Sequence, residues 1–186
     1  MNKKNKNLLD AHIKSIFTLY SNGQIKKALD AIKALINDYP NEPLLFNISG
    51  ICYKADNQLD AAVDSFEKAI AIKPDDIKAY FNLGIIHMEM GKLGNAIRFY
   101  EKVLVLNPNY TDAHYNLGII FKELGNLDAA VKSYKKVLDI KPNHVAAYNN
   151  LGVSLKELGH QEEAVKSYKK AIAINPDFAD ACNNLG

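Results

Sequence analysis

Five histidines, at positions 12, 87, 114, 144 and 160, and two cysteines, Cys52 and Cys182, are the side chains best suited to metal binding or nucleophilic attack. Zinc sites draw their ligands from short, characteristic spacings, and none of these residues stands in such a spacing to another. No Gly-x-Ser-x-Gly, Walker A or dinucleotide-binding fingerprint occurs. The residues therefore predict no catalytic centre, no metal and no cofactor. This segment is not expected to be an enzyme. A different chemistry is available from Asn82, Asn116, Asn150 and Asn184, which recur every 34 residues. A carboxamide both donates and accepts hydrogen bonds, so a row of them at one spacing can pair with an extended backbone whatever its side chains. Three residues after the first three of these come Ile85, Ile119 and Val153, one helical turn on and nearly on the same face. An apolar strip beside amides is a surface for recognition.

The elements that must carry this surface follow from the same period. Pro40, Pro74, Pro108, Pro142 and Pro176 are each 34 positions apart, as are Gly50, Gly84, Gly118, Gly152 and Gly186, and Ala28, Ala62, Ala96, Ala130 and Ala164. A fixed period of this size marks stacked repeats, each too small to bury a core alone. In the fourth copy, residues 111–124 carry Tyr115, Leu117, Ile119, Ile120, Phe121 and Leu124, a helix packed on more than one side. Gly125 ends it, since glycine reaches the left-handed conformation without a Cβ clash. Gly23, Gly91 and Gly159 hold the same place, and Asn57 replaces glycine in the second copy. A second helix runs through Ala130, Tyr134, Val137 and Ile140 and stops before Pro142. The glycine inside each first helix costs about 1 kcal/mol relative to alanine. Its pairing with an alanine twelve residues on, as in Gly118 with Ala130 and Gly152 with Ala164, predicts that the two helices touch closely there. The first copy has Ile16 instead, so its helices are expected to sit further apart.

These motifs resemble the tetratricopeptide repeat family. The family's pattern appears as Tyr80, Leu83-Gly84, His87, Ala96, Tyr100, Val103 and Pro108, and again as Tyr148, Leu151-Gly152, Leu155, Ala164, Tyr168, Ala171 and Pro176. Ile16, Ser49 and His87 depart from it, and His87 and His114 stand where the family packs aromatics. The resemblance implies an all-α fold, a right-handed superhelical solenoid of antiparallel helix pairs. It divides the chain into a basic leader, 1–8, and a single array, 9–186, with repeats 9–42, 43–76, 77–110, 111–144 and 145–178 and a truncated sixth at 179–186. First helices line the concave groove in this family, which implies that the asparagine series faces into it. The array is most similar to that of O-linked N-acetylglucosaminyltransferase-like proteins, where an asparagine ladder grips the protein substrate. The chaperone-binding branch needs a lysine and an arginine on one first helix. Lys78 matches the lysine, but Asn82 replaces the arginine, and Ile13 and Phe17 replace polar groups earlier, so binding of a chaperone's C-terminal carboxylate is disfavoured.

Bulk properties limit the partners. The net charge is +2, which implies no polyanion and so no nucleic acid. The lysines on second helices, such as Lys135, Lys136, Lys169 and Lys170, read as a solvated face, because no aromatics interleave to stack bases. No apolar run of membrane-spanning length occurs, and no apolar stretch follows the basic leader, so neither membrane insertion nor secretion is expected. Arginine occurs once, at Arg98, among 23 basic residues, which reads as an AT-rich, bacterial genome. Location in the cytoplasm is the expectation, and with Cys52 and Cys182 about four repeats apart no disulfide should join them. The function expected is a protein-protein interaction module that holds an extended peptide or protein partner in its concave groove. The alternative is the substrate-recruiting front of a larger enzyme, a glycosyltransferase or sulfotransferase, with its catalytic domain beyond residue 186. The sixth repeat breaks off inside a helix, so the chain is expected to be a fragment. Its last complete repeat is expected to expose Val165, Tyr168, Ile172 and Ile174 and to self-associate end to end.

Overall fold

The structure is a computed structural model and describes residues 3–185, with side chains from Asn7 onward. Met1 and Asn2 of the leader and Gly186 of the sixth repeat lie outside the described residues. Residues up to Lys92 form one compact unit and those from Leu93 onward another. The first holds α1 (Lys3–Ser21), α2 (Ile25–Asp38), α3 (Pro43–Ala55), α4 (Leu59–Ile72) and α5 (Ile77–Glu89). The second holds α6 (Leu93–Leu106), α7 (Thr111–Glu123), α8 (Leu127–Ile140), α9 (Val145–Glu157), α10 (Gln161–Ile174) and α11 (Ala179–Leu185). Among the described residues there is no strand. Helix α1 begins at Lys3, ahead of the repeat boundary at residue 9, and α3, α5, α7, α9 and α11 begin at the predicted repeat starts.

Within each unit every helix packs on its chain neighbour, and first helices also touch the next first helix, α3 on α5, α7 on α9 and α9 on α11. Short turns force this stacking by reversing the chain between neighbours. The turns inside the pairs share one mechanism. Gly23, Gly91, Gly125 and Gly159 have φ of 71°, 69°, 72° and 83°, and Asn57 has φ of 58°. The left-handed residue lets the next amide reach back to the helix, as in Asn126 N–H to the Phe121 carbonyl at 2.8 Å and Gln58 N–H to the Tyr53 carbonyl at 2.9 Å. Between pairs the proline works through its predecessor. Lys73 and Asn175 are extended at φ −130° and −137°, the region left open once α geometry clashes with a following proline ring.

The expected close approach of paired helices is present, but an aromatic ring sixteen residues on fills it. A Cβ on Gly50 would lie 2.6 Å from the Phe66 ring, one on Gly118 2.5 Å from Tyr134, and one on Gly152 2.5 Å from Tyr168. In the first pair the volumes are redistributed. Ile16 replaces glycine and Ile32 replaces the ring, and both are buried in one core. As expected, α1 and α2 approach less closely than α3 and α4. Ser49, the departure from the family's leucine, is also compensated. It is buried opposite Ser65, whose hydroxyl lies 3.4 Å from its own while donating to the Ala61 carbonyl at 2.8 Å.

One expectation about the last complete repeat is corrected. Tyr168 is only 1% exposed, because its ring sits over Gly152 and α11 packs on α9 and α10. Leu185 joins the same core. Val165 and Ile172 are half-buried, leaving Ile174 exposed. Seven residues are too few for a helix to persist alone, so packing is what holds α11 in shape.

His144 caps α9, its Nδ1 accepting the Ala147 N–H at 3.1 Å. That bond requires an unprotonated Nδ1. Burial lowers the His144 pKa below its ordinary 6.5, the Lys141 charge adds to this, and its own backbone bond and Asp112 oppose it. The unfolded chain therefore takes up the proton first as pH falls. This contribution is complete above about pH 6.5 and is lost as pH drops through that value towards the folded pKa. His144→Asn keeps a capping acceptor without titrating. Its melting temperature should fall less than the parent's between about pH 7.5 and 5.5. The remaining slope comes from His87, which burial and then Lys92 shift the same way, against Glu67. Equal slopes for parent and variant would remove His144 from the account.

Candidate peptide-binding surface

In the second unit the asparagine amides are wedged between helices. Asn116 Nδ2 donates to the Tyr100 hydroxyl at 3.0 Å, Asn150 Nδ2 to the Tyr115 hydroxyl at 3.1 Å, and Asn184 Nδ2 to Asn149 Oδ1 at 2.9 Å. All three asparagines are half-buried. Asn150 Oδ1 also accepts a long bond of 3.4 Å from Asn149 Nδ2. The ring of Tyr115 lies 6.0 Å from that of Tyr134 and 5.0 Å from that of His144, centroid to centroid. Burial raises the pKa of both tyrosines, and the Asn150 amide works against that rise in each. Each of these amides thus commits an N–H to a neighbouring helix, and Asn116 keeps its carbonyl oxygen for another donor. Ile119 is half-buried, and Val153 packs on the core that α8, α9 and α10 share.

Asn82, in the first unit, behaves differently. It is half-buried on α5 and makes no hydrogen bond among the described residues. The reason lies in its neighbours. Sixteen positions before Asn116 stands Tyr100, but sixteen before Asn82 stands Phe66, which has no hydroxyl. Asn82 instead lines a groove of about 510 Å³ with Phe17 of α1, with Leu44, Asn47, Ile48 and Ile51 of α3, and with Lys78 of α5. Ile85, expected beside Asn82 in the site, is half-buried and does not line this groove.

The polar floor of the groove is built by Asp76, the N-cap of α5. One oxygen accepts the Lys78 and Ala79 N–H groups at 3.1 and 3.2 Å, and the other accepts Asn47 Nδ2 at 2.8 Å. Asn47 is 8% exposed, and its Oδ1 is buried without a partner. The rim is apolar, with Phe17 48% and Leu44 45% exposed. Ile13, the other residue replacing a polar group of the carboxylate clamp, is buried. Phe17 stands out in the sequence as a departure from the clamp pattern, but nothing there joins it to Leu44 or Asn47. The available signal was that Asn47 precedes Asn82 by 35 positions, as Tyr115 precedes Asn150.

Of the other reactive candidates, His114 is half-buried with Nε2 2.9 Å from the Pro108 carbonyl. Cys52 is fully buried, and burial pushes its thiol up to about 11, too high to supply a nucleophilic thiolate near neutrality. Both cysteines are free. Among the described residues no helix is long and apolar enough to cross a membrane.

Models described as tetratricopeptide repeat match residues 10–42, 77–110, 99–132 and 145–178, and a TPR repeat model matches 50–91 and 120–159. The chain belongs to the tetratricopeptide repeat family. Its helix pairs and left-handed turns are those of a TPR protein-interaction scaffold. A crystal structure of MamA is 28% identical, covers 87% of this chain and 95% of its own, and superposes with a TM-score of 0.80. Residues 41-end of MamA from Desulfovibrio magneticus RS-1 share the fold at 18% identity, with 91% and 96% coverage and a TM-score of 0.81. YrrB, described as a TPR protein with an unusual peptide-binding site, shares it at 24% identity, with 92% and 89% coverage and a TM-score of 0.77. The curated proteins contain no match to this sequence.

Proposed function

We propose that this TPR scaffold binds an extended peptide segment of a partner protein across its first helices. Asn82, Asn116, Asn150 and Asn184 supply hydrogen bonds to the partner's backbone, and Ile85, Ile119 and Val153 supply apolar contact beside them. The observation that carries this reading is the state of the amides. Asn82 has both halves of its carboxamide unengaged, and Asn116 has its oxygen without a donor. The likeness to the O-linked N-acetylglucosaminyltransferase array rests on the same four residues and gives them the same task.

The test is to replace Asn82, Asn116 and Asn150 together with alanine and to titrate a peptide selected on the parent protein. Each net bond lost is worth about 0.5–1.5 kcal/mol, so affinity should fall by about tenfold or more while helicity by circular dichroism stays near the parent value. Stability should fall for Asn116→Ala and Asn150→Ala, which release tyrosine hydroxyls, and should stay level for Asn82→Ala. Unchanged affinity in the triple variant would return the series to a purely structural role.

A further inference from the structure

We propose that the groove framed by α1, α3 and α5 is an anchor site for one bulky apolar, uncharged side chain of an extended peptide, whose backbone N–H satisfies Asn47 Oδ1. This rests on the peptide-binding reading above and assigns it a location and a specificity.

Three observations converge on that occupant. The groove has an apolar rim and wall, with Phe17 and Leu44 open to solvent and Ile48 and Ile51 beside them. It also has a polar point that wants an N–H. Asn47 Oδ1 is buried and unmatched, which is costly to maintain, and Asn82 stands in the same groove with its amide unengaged. In the second unit the same 35-residue offset is closed internally, Asn184 Nδ2 reaching Asn149 Oδ1 at 2.9 Å. In the first unit that bond is not made. Finally, the groove carries both signs of charge, Glu42, Asp75 and Asp76 against Lys73 and Lys78. Asp76 is already engaged by Asn47 and two backbone amides, so the charges left on the rim balance and select no charged anchor.

A second copy of this chain is a poor occupant. Most of its described backbone is helical, so most of its amides are committed to the helical ladder and few can turn outward. An extended segment presents unused N–H and C=O groups, and alternate side chains point to one side. One apolar side chain can therefore enter between Phe17 and Leu44 while the adjoining N–H meets Asn47 and the adjoining carbonyl meets the Asn82 amide. Asn82 then works as a donor at the mouth of the groove.

The probe is a phage-displayed library of random linear peptides, selected on the whole chain and on the Phe17→Glu, Leu44→Glu double variant. Both residues are exposed, so the variant should keep its helicity. Peptides selected on the parent should share one Leu, Phe or Met, and synthetic copies should bind the double variant at least about tenfold more weakly. Asn47→Leu, which removes the polar point without adding charge, should weaken them as well, and in the parent the Asn47 and Asn82 side-chain amide resonances should shift on titration. Selected peptides that bind the double variant with parental affinity, but lose affinity to Asn116→Ala with Asn150→Ala, would overturn the anchor site and leave the broader reading standing. No selected peptide at all would overturn both. Self-association of the parent that Phe17→Glu with Leu44→Glu abolishes would give the groove to a second copy and overturn the proposal.

Discussion

Gly118→Ala should destabilise the protein by up to about 2 kcal/mol, although glycine to alanine inside a helix is ordinarily favourable. The intrinsic gain is about 1 kcal/mol, and overpacking a filled core costs about 1–3 kcal/mol. The added carbon would stand 2.5, 2.8 and 2.9 Å from three atoms of the Tyr134 ring. That ring is fully buried and has nowhere to swing, so the steric cost wins. Gly94→Ala provides the opposite sign from the same chemical change. Gly94 lies in α6 with nothing within 4 Å of the added carbon, and the substitution should stabilise by about 0.4–1 kcal/mol through the unfolded chain. Denaturant unfolding of the two variants should move the midpoint in opposite directions. A shift of the same sign for both would show that the ring yields.

Tyr168 separates the worth of a ring from the worth of its hydroxyl. Tyr168→Ala empties a fully packed position and should cost about 3–5 kcal/mol. Tyr168→Phe keeps the ring over Gly152 and removes a hydroxyl that is buried without a hydrogen-bond partner. An unsatisfied buried group costs about 1–3 kcal/mol, so this variant should be neutral or more stable than the parent. Tyr100→Phe should instead lose about 0.5–1.5 kcal/mol, because it gives up the 3.0 Å bond from Asn116. Should Tyr168→Phe prove as costly as Tyr100→Phe, the Tyr168 hydroxyl has a partner after all, and Asn184 would be the first to examine.

Backbone conformation was the legible part of this fold. Pro74 and Gly125 act on geometry through their own covalent structure, so their spacing alone locates the helix boundaries, and Asn57 joins the glycines because its short polar side chain tolerates the same left-handed conformation. Side-chain partnership was less legible. The recurrence of glycine with an alanine twelve residues on, as with Gly118 and Ala130, suggests that small residue faces small residue. The ring sixteen positions on, Tyr134, is what fills the space, since an interior closes on a large residue wherever a gap is left. By length alone α11 is too short to hold itself over Tyr168, and tertiary packing overrides that. The asparagine period is plain, but its environments depend on partners at two offsets, Tyr100 sixteen residues before Asn116, and Tyr115 and Asn149 thirty-five before Asn150 and Asn184. The Phe17, Leu44 and Asn47 groove is assembled from separate helices, and no local pattern announces it.

The exchange of Gly50 and Phe66 for Ile16 and Ile32 bears on how such arrays grow. Duplication and unequal crossover splice a first helix from one repeat to a second helix from another. A splice between the second, fourth and fifth repeats keeps a glycine opposite a ring and fits at once. A splice that set α1 against α4 would oppose Ile16 to Phe66, two large side chains where each pair holds one space. The reciprocal product, α3 against α2, would leave Gly50 facing Ile32 and a void in place of a ring. The first repeat is thereby isolated from recombination with the rest, and a lineage that lengthens this array should do so by copying internal repeats.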